Sequence, residues 1–160
     1  SDMFGFDYVT LKTINIKEAV TKGFELYIEA KPVDELNLKA NYTFTDATDT
    51  SPDSPDFDKK LVRRPESKLG VYTSYTFIPK ANINAEVIWV GVREDVDFST
   101  YQRTELKGYV LLNLAAHYDV FDFLRLNVRA ENLLDTDYEE VFGYGTAGLS
   151  FYGGIKLMIN

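Results

Sequence analysis

Apolar and polar residues alternate along nearly the whole chain, and a helical period of 3.6 is nowhere sustained. Over residues 36–44, Leu36, Leu38, Ala40, Tyr42 and Phe44 fall on one face and Asn37, Lys39, Asn41 and Thr43 on the other. From residue 68, Leu69, Val71, Thr73, Tyr75 and Phe77 oppose Lys68, Gly70, Tyr72, Ser74 and Thr76. Ala81, Ile83, Ala85, Val87 and Trp89 oppose Asn82, Asn84, Glu86 and Ile88, while Leu124, Leu126, Val128 and Ala130 oppose Arg125, Asn127, Arg129 and Glu131. The last segment sets Leu149, Phe151, Gly153, Ile155, Leu157 and Ile159 against Ser150, Tyr152, Gly154, Lys156 and Met158. With further runs near 5–16, 21–32 and 108–118, the pattern predicts eight long strands and no helix, an all-β antiparallel fold.

The connections between these runs are unequal. Those at 33–35, 78–80 and 119–122 are tight, and those at 46–64, 93–107 and 132–148 are long and polar. After a first connection near 17–20, short and long alternate strictly, which puts every long segment at one end of the strands. Long loops in a compact domain usually carry function. Collecting them at one end, with tight turns at the other, is the habit of outer-membrane barrels.

Alternation alone fits a soluble barrel as well, with its apolar residues turned inward. The order along the apolar face separates the two. Its middle is aliphatic (Leu38, Ala40, Ala85, Val87, Leu112, Leu114), and its ends are often aromatic (Tyr42, Phe44, Tyr75, Phe77, Trp89, Tyr118, Phe123, Phe151). Aromatic rings bounding an aliphatic band fit the girdles at the two membrane interfaces. The opposite face carries Lys39, Glu86, Arg125, Arg129 and Glu131 in mid-strand, charges that a narrow closed interior would bury at high cost. The reading is therefore a transmembrane barrel, with Leu38, Ala40, Ile83, Ala85, Val87, Leu112, Leu114, Leu126 and Val128 towards lipid. Lys39, Glu86, Arg125 and Arg129 are expected to face the lumen.

Composition narrows the function. Twenty-five acidic against 17 basic residues leave a net charge of −8, which argues against a nucleic-acid partner. The absence of cysteine removes disulfides, zinc knuckles and thiol nucleophiles. No apolar run is long enough for a transmembrane helix, and no signal peptide is visible at Ser1-Asp2-Met3-Phe4.

The motifs that suggest other chemistry are weak. Gly143-Tyr144-Gly145-Thr146-Ala147-Gly148 spells G-x-G-x-x-G but precedes a strand, not a helix, so it reads as a glycine-rich loop. Asp135, Asp137 and Glu139 begin like a calcium loop, yet Glu140 and Thr146 stand where that pattern needs glycine and glutamate. Asp53, Asp56 and Asp58, or Glu94, Asp95 and Asp97, are expected to be solvated acidic loops, with irregular calcium binding as the alternative. His117 is the single histidine, and nothing assembles a nucleophile, a base and an oxyanion site. The chain does not read as an enzyme and implies no cofactor.

Several segments resemble a known family in order. Gly108-Tyr109-Val110-Leu111-Leu112-Asn113-Leu114, then Asn132-Leu133-Leu134-Asp135-Thr136-Asp137-Tyr138-Glu139, then Gly143-Tyr144 and the last strand resemble the end of TonB-dependent outer-membrane receptors. Upstream, Lys22-Gly23-Phe24-Glu25, Asn41-Tyr42-Thr43-Phe44-Thr45-Asp46-Ala47, Leu61-Val62-Arg63-Arg64-Pro65 and residues 101–109 fit the same pattern. The run 132–148 looks most like the cobalamin (vitamin B12) transporters of that family.

The resemblance implies an outer-membrane barrel of about 22 strands closed by a plug. This chain, residues 1–160, would supply about eight C-terminal strands, with the plug, and so the contact with TonB, absent. It ends Leu157-Met158-Ile159-Asn160, where the family usually has a final aromatic residue. The implied cargo is a large scarce nutrient, with cobalamin preferred and a ferric siderophore, or a small self-closed eight-stranded ligand-binding barrel, as alternatives. Carried over by position, the cobalamin contacts fall on Arg63, Phe98 and Tyr144, with phenylalanine where the family usually has tyrosine at 98. An isolated fragment is expected to oligomerise through its edge strands, or to close by pairing the first with the last.

Overall fold

The alternating segments are strands in the computed structural model, which describes residues 3–7, 12–16 and 18–158. The run near 5–16 is not one long strand. Met3–Asp7 (β1) and Lys12–Ile16 (β2) pair with each other from Met3↔Ile16 to Asp7↔Lys12 as a separate hairpin. Alternation in each half reads as continuous because a period-two pattern does not register the reversal between them.

The main sheet is built from Ala19–Val33 (β3), Leu36–Asp49 (β4), Ser67–Ile78 (β5) and Ala81–Val90 (β6). The next long connection contains Arg93–Asp97 (β7) and Gln102–Leu106 (β8), paired as a hairpin. Tyr109–Phe121 (β9) and Leu124–Glu131 (β10) return to the sheet. The last connection holds the short strands Glu139–Val141 (β11) and Tyr144–Gly145 (β12), and Ser150–Leu157 (β13) completes the chain's described strands. The order across the sheet is β13-β10-β9-β6-β5-β4-β3, with every neighbour antiparallel.

Seven strands, not eight, therefore form the sheet, and it is open: β3 and β13 are its two edges and do not pair with each other. The self-closed eight-stranded barrel is not formed, because the run expected as its first strand is spent on the β1–β2 hairpin. Residues Ile159 and Asn160, and with them the expected end of the last strand, lie outside the described residues. The tight turns fall at 34–35, 79–80 and 122–123, the last displaced from 119–122 because β9 runs on to Phe121.

The register fixes the two faces. Directly opposed residues of antiparallel strands share a face. Ala30, Leu38, Thr73, Ala85, Leu114, Ala130 and Phe151 form one unbroken row across all seven strands. One residue along, Glu29, Lys39, Tyr72, Glu86 and Asn113 form the corresponding row on the other face. Arg125 and Arg129 lie on that polar face, paired with Asp119 and Ala115. Lys39 and Glu29 are 3.4 Å apart across their strands, and Arg125 grips Asp119 through two hydrogen bonds of 2.5 and 2.9 Å.

Among the described residues no layer covers the apolar face. Ile28, Leu126, Val128 and Phe151 are exposed on it, and Ile155 retains 72% of its surface. Rings cluster towards both ends of the strands: Phe24 lies 5.8 Å from both Tyr42 and Phe44 near the long connections, while Tyr75–Phe77 and Phe121–Phe123 pair beside the tight turns. Among the described residues the buried apolar side chains are Ala47, Ala81, Val90, Val96, Leu106 and Tyr109, most of them gathered at the long-connection end. The densest packing is thus in the cap, not beneath the sheet.

Candidate functional site

The three long connections form this cap. The first folds back on the end of β4 around Asp49, a buried carboxylate that accepts from the Ser51 N–H at 2.8 Å and the Ser54 hydroxyl at 2.6 Å. The Asp49 N–H donates to the Lys59 carbonyl and the Asp58 N–H to the Asp49 carbonyl, so the segment 49–60 is a closed loop. Lys60 then stands between Asp46 and Glu66, at 2.6 and 2.7 Å, and those two carboxylates hold its ammonium above the usual lysine range. Arg63 follows in a turn with φ 58, four residues before β5 begins.

The second connection is the β7–β8 hairpin. Asp97 makes its turn: the carboxylate accepts from the Ser99 hydroxyl and N–H, both at 2.7 Å, and from the Thr100 hydroxyl at 3.0 Å. The Ser99 bonds, chiefly, hold the Asp97 carboxyl below the usual carboxylate range. This is the Asx-turn chemistry that an Asp-x-Ser-Thr sequence favours. Phe98 lies within the turn. Arg103 clamps the hairpin to the first connection, pairing with Glu94 at 2.9 Å and Asp56 at 3.2 Å and donating to the Lys60 carbonyl at 2.5 Å.

The third connection is knotted by Asn132. Its side-chain oxygen accepts from the Thr136 N–H at 2.9 Å, its amide nitrogen donates to the Thr136 and Ala147 carbonyls, and its backbone N–H reaches Asn113. Asp135 accepts from the Leu149 N–H at 2.9 Å, and a Cβ on Gly148 would sit 2.7 Å from that carboxylate. The family-like run from Asn132 is therefore a structural fastener. Phe142 and Gly143 turn the β11–β12 hairpin, with Gly143 at φ 80, a conformation open to glycine at no steric cost. The G-x-G-x-x-G run is this turn and the approach to β13.

The three connections meet at Asp95, on β7. It is 0% exposed. One carboxylate oxygen accepts from Arg63 Nε at 2.9 Å and from the Val96 N–H at 2.8 Å, and the other accepts from the Phe142 N–H at 2.8 Å. Arg63 is fixed a second time by its backbone N–H, which donates to the Glu94 carbonyl at 2.6 Å. Its guanidinium stands 5.4 Å from the centre of the Phe98 ring, within cation–π range. Nearby, buried Arg93 donates to the Glu139 carbonyl and lies 5.4 Å from the Tyr109 ring, itself packed 4.3 Å from Tyr138.

Of the sequence-predicted site residues, Arg63 and Phe98 are in direct contact. Tyr144, on β12, is linked to them through the Asp95–Phe142 bond of its own hairpin and leaves 66% of its surface exposed. The expectation that Glu94, Asp95 and Asp97 form a solvated acidic loop fails at Asp95, whose carboxylate is enclosed by three N–H donors. Likewise Asp56 is engaged by Lys59 and Arg103. Among the described residues no group of three or more His, Asp or Glu side chains is arranged to hold a metal ion. The sequence reading placed Asp95 only in an acidic loop and not at the meeting point of the three connections; one signal for that place is the short alternation Arg93, Asp95, Asp97 against Glu94, Val96, Phe98, which marks a strand inside a polar stretch.

The profile of the family described as TonB dependent receptor-like, beta-barrel matches residues 1–133. Solved structures are similar in fold. The P. aeruginosa receptor FpvA, in complex with a heterologous pyoverdine and iron, is 22% identical, with a TM-score of 0.75 over 98% of this chain and 23% of that one. The siderophore receptor PiuA from Acinetobacter baumannii is 19% identical, with a TM-score of 0.75 over 92% of this chain and 23% of that one. The ferric-catecholate import receptor Fiu from E. coli, in its closed form, is 17% identical, with a TM-score of 0.77 over 98% of this chain and 23% of that one. The chain thus spans under a quarter of the length of these receptors.

Proposed function

Since the chain belongs to the TonB-dependent receptor β-barrel family, we propose that it forms part of the wall and external mouth of an outer-membrane receptor that takes up a ferric siderophore. In this reading residues 1–160 are the C-terminal portion of a larger barrel. Its apolar face meets lipid, its polar face looks into the lumen, and the long connections meet the cargo outside the cell. TonB acts through a plug that this stretch does not supply. The protein is a receptor and transporter, not an enzyme.

The observation that carries the reading is the Arg63–Phe98 pair at the long-connection end of a two-faced sheet. Siderophores present ligating and carbonyl oxygens around iron on a compact organic frame. A guanidinium donates well to such oxygens, and aromatic surfaces such as Phe98 and Tyr144 cover the frame. The similar structures described above are named for pyoverdine, siderophore and ferric-catecholate uptake, which gives the siderophore precedence over cobalamin. Cobalamin is kept as the competing cargo because residues 132–148, with Arg63 and Tyr144, resemble the cobalamin branch, while Phe98 departs from the tyrosine usual there.

The test is equilibrium binding of a ferric pyoverdine, a ferric catecholate and cyanocobalamin to the full-length receptor in detergent. One of the ferric complexes should bind. Arg63→Ala should weaken it by about 1.5–3 kcal/mol, the worth of a charged hydrogen bond, and Phe98→Ala and Tyr144→Ala should weaken it through lost contact area. Unchanged affinity in all three variants discards the site. Binding of cyanocobalamin alone discards the siderophore and keeps the receptor.

A further inference from the structure

Arg63 contributes only its Nε to Asp95. Its two terminal nitrogens make no hydrogen bond among the described residues, and its side chain is 40% exposed. A planar guanidinium tied at Nε, standing over a ring at 5.4 Å and anchored by its own backbone N–H loses much of its freedom, which restricts where its terminal N–H groups point. The residue that imposes this restriction is buried and has no access to a ligand. Asp95 also holds Phe142, two residues before Tyr144, so one carboxylate sets the positions of residues 32 and 47 places away in the chain.

We propose that Asp95 is the positioning residue of the external site. It aims the terminal nitrogens of Arg63 at an oxygen-bearing group of the incoming ligand and locks the Tyr144 hairpin beside them. The inference rests on the receptor reading above and extends it to a residue that never touches the cargo. A carboxylate suits the task because both of its oxygens accept, and here one takes Arg63 and Val96 while the other takes Phe142. Asparagine has the same size and only one accepting oxygen. In Asp95→Asn the amide N–H₂ faces either the Arg63 Nε–H or the Phe142 N–H, donor against donor, and one of the two ties opens.

The experiment is a double-mutant cycle in the full-length receptor, using whichever of the ferric complexes or cyanocobalamin the wild type binds. Arg63→Gln and Asp95→Asn should each weaken binding roughly tenfold, and the double variant should lose clearly less than the product of the two, because Asp95 acts partly through Arg63 and partly through the Tyr144 hairpin. Losses that multiply to about a hundredfold would overturn the proposal, since they signify independent contributions. Arg63→Lys provides a second test in a protein with Asp95 intact. Lysine keeps the charge but replaces the fork of separated nitrogens by one compact ammonium, and a nitrogen held against Asp95 does not reach where the Arg63 terminal nitrogens lie, so binding should again fall roughly tenfold; unchanged affinity would overturn the proposal.

A readout without ligand completes the test. Hydrogen exchange at the Phe142 amide should accelerate in Asp95→Ala, which removes both accepting oxygens, while the amides of β9 and β10 keep their protection, and unchanged exchange at Phe142 would overturn the lock. A wild type that binds none of the three probes would overturn the receptor reading instead, with the exchange result still deciding the structural half of the claim.

Discussion

In the seven-stranded sheet, Ile28, Val128 and Ile155 stand uncovered on strands whose backbones are paired by register, whereas in the cap Asp49, Arg93, Asp95 and Asn132 are buried and bonded through their side chains. The sheet is a backbone structure. Its stability comes from ladders that any residue can make, and its side chains need only the right polarity on the right face. The cap lacks such a ladder over most of its length. It takes left-handed backbone at Asp58, Arg63, Tyr101, Asn132 and Asp135, and is held by individual carboxylates, amides and guanidinium groups. Substitution should therefore be read by face in the sheet and by identity in the cap.

The sharpest break in the cap is Asp95→Ala, which leaves the Phe142 N–H and the Arg63 Nε without their acceptor. Arg63 is 40% exposed and can turn to water, so the cost falls on the Val96 and Phe142 N–H groups, about 1–3 kcal/mol for each that stays buried and unpaired. Proteolysis within 91–108 and 132–149 should rise steeply while β9 and β10 remain protected. Loss of the whole sheet instead would erase the distinction between the two regions. In the sheet, Val87→Arg should cost about 2–4 kcal/mol in a bilayer, the penalty for a charge on the lipid face, against under about 1 kcal/mol for the neighbouring Glu86→Arg. Urea unfolding of the full-length receptor in vesicles measures both, and equal costs would remove the basis for two faces.

A smaller effect is expected where the sheet does depend on one residue. A Cβ on Gly23 would lie 2.2 Å from the Phe44 carbonyl oxygen, so Gly23→Ala forces β3 and β4 apart and should cost about 1–3 kcal/mol in the same assay. The mildest prediction concerns pH. The Asp97 carboxyl is held below its usual range by Ser99 and Thr100, so its contribution to the β7–β8 turn is fully present above the ordinary aspartate pKa. It is lost as pH falls through the lowered value. The protection of the Ser99 amide, relative to its intrinsic exchange rate at each pH, should fall at acid pH in the wild type and lose that pH dependence in Asp97→Asn.

The sheet was legible because period two is a long-range signal: the alternation from Leu36 to Phe44 and from Ala81 to Trp89 recurs in the observed register residue for residue. Glycine 23 in the Lys22-Gly23-Phe24-Glu25 motif was visible as a pattern, while its cause, the approach of the Phe44 carbonyl, is a fact of three dimensions. The first run misled because both halves of the β1–β2 hairpin alternate in phase with a single strand. In the cap, Arg63, Phe98 and Tyr144 came from resemblance to a family, and the residue joining their loops did not. An aspartate among aspartates carries no sequence mark of being the one that is buried. Asp95 became distinguishable from Asp97 and Glu94 only when Arg63 and Phe142 were brought to it from 32 and 47 positions away.

The central claim is that one face of this sheet meets lipid and the other water. It can be tested residue by residue, because residues 1–160 hold no cysteine and single ones can be placed among them in a receptor whose other cysteines are replaced. Single substitutions Val87→Cys, Leu114→Cys and Val128→Cys, and on the other face Glu86→Cys, Asn113→Cys and Arg129→Cys, would be labelled in the full-length receptor reconstituted into vesicles. The account predicts that the first three resist a membrane-impermeant thiol reagent and, once labelled with a fluorophore in detergent before reconstitution, are quenched by brominated lipid. The second three should escape that quenching. Equal quenching of both sets, or quenching of the second set alone, would contradict it.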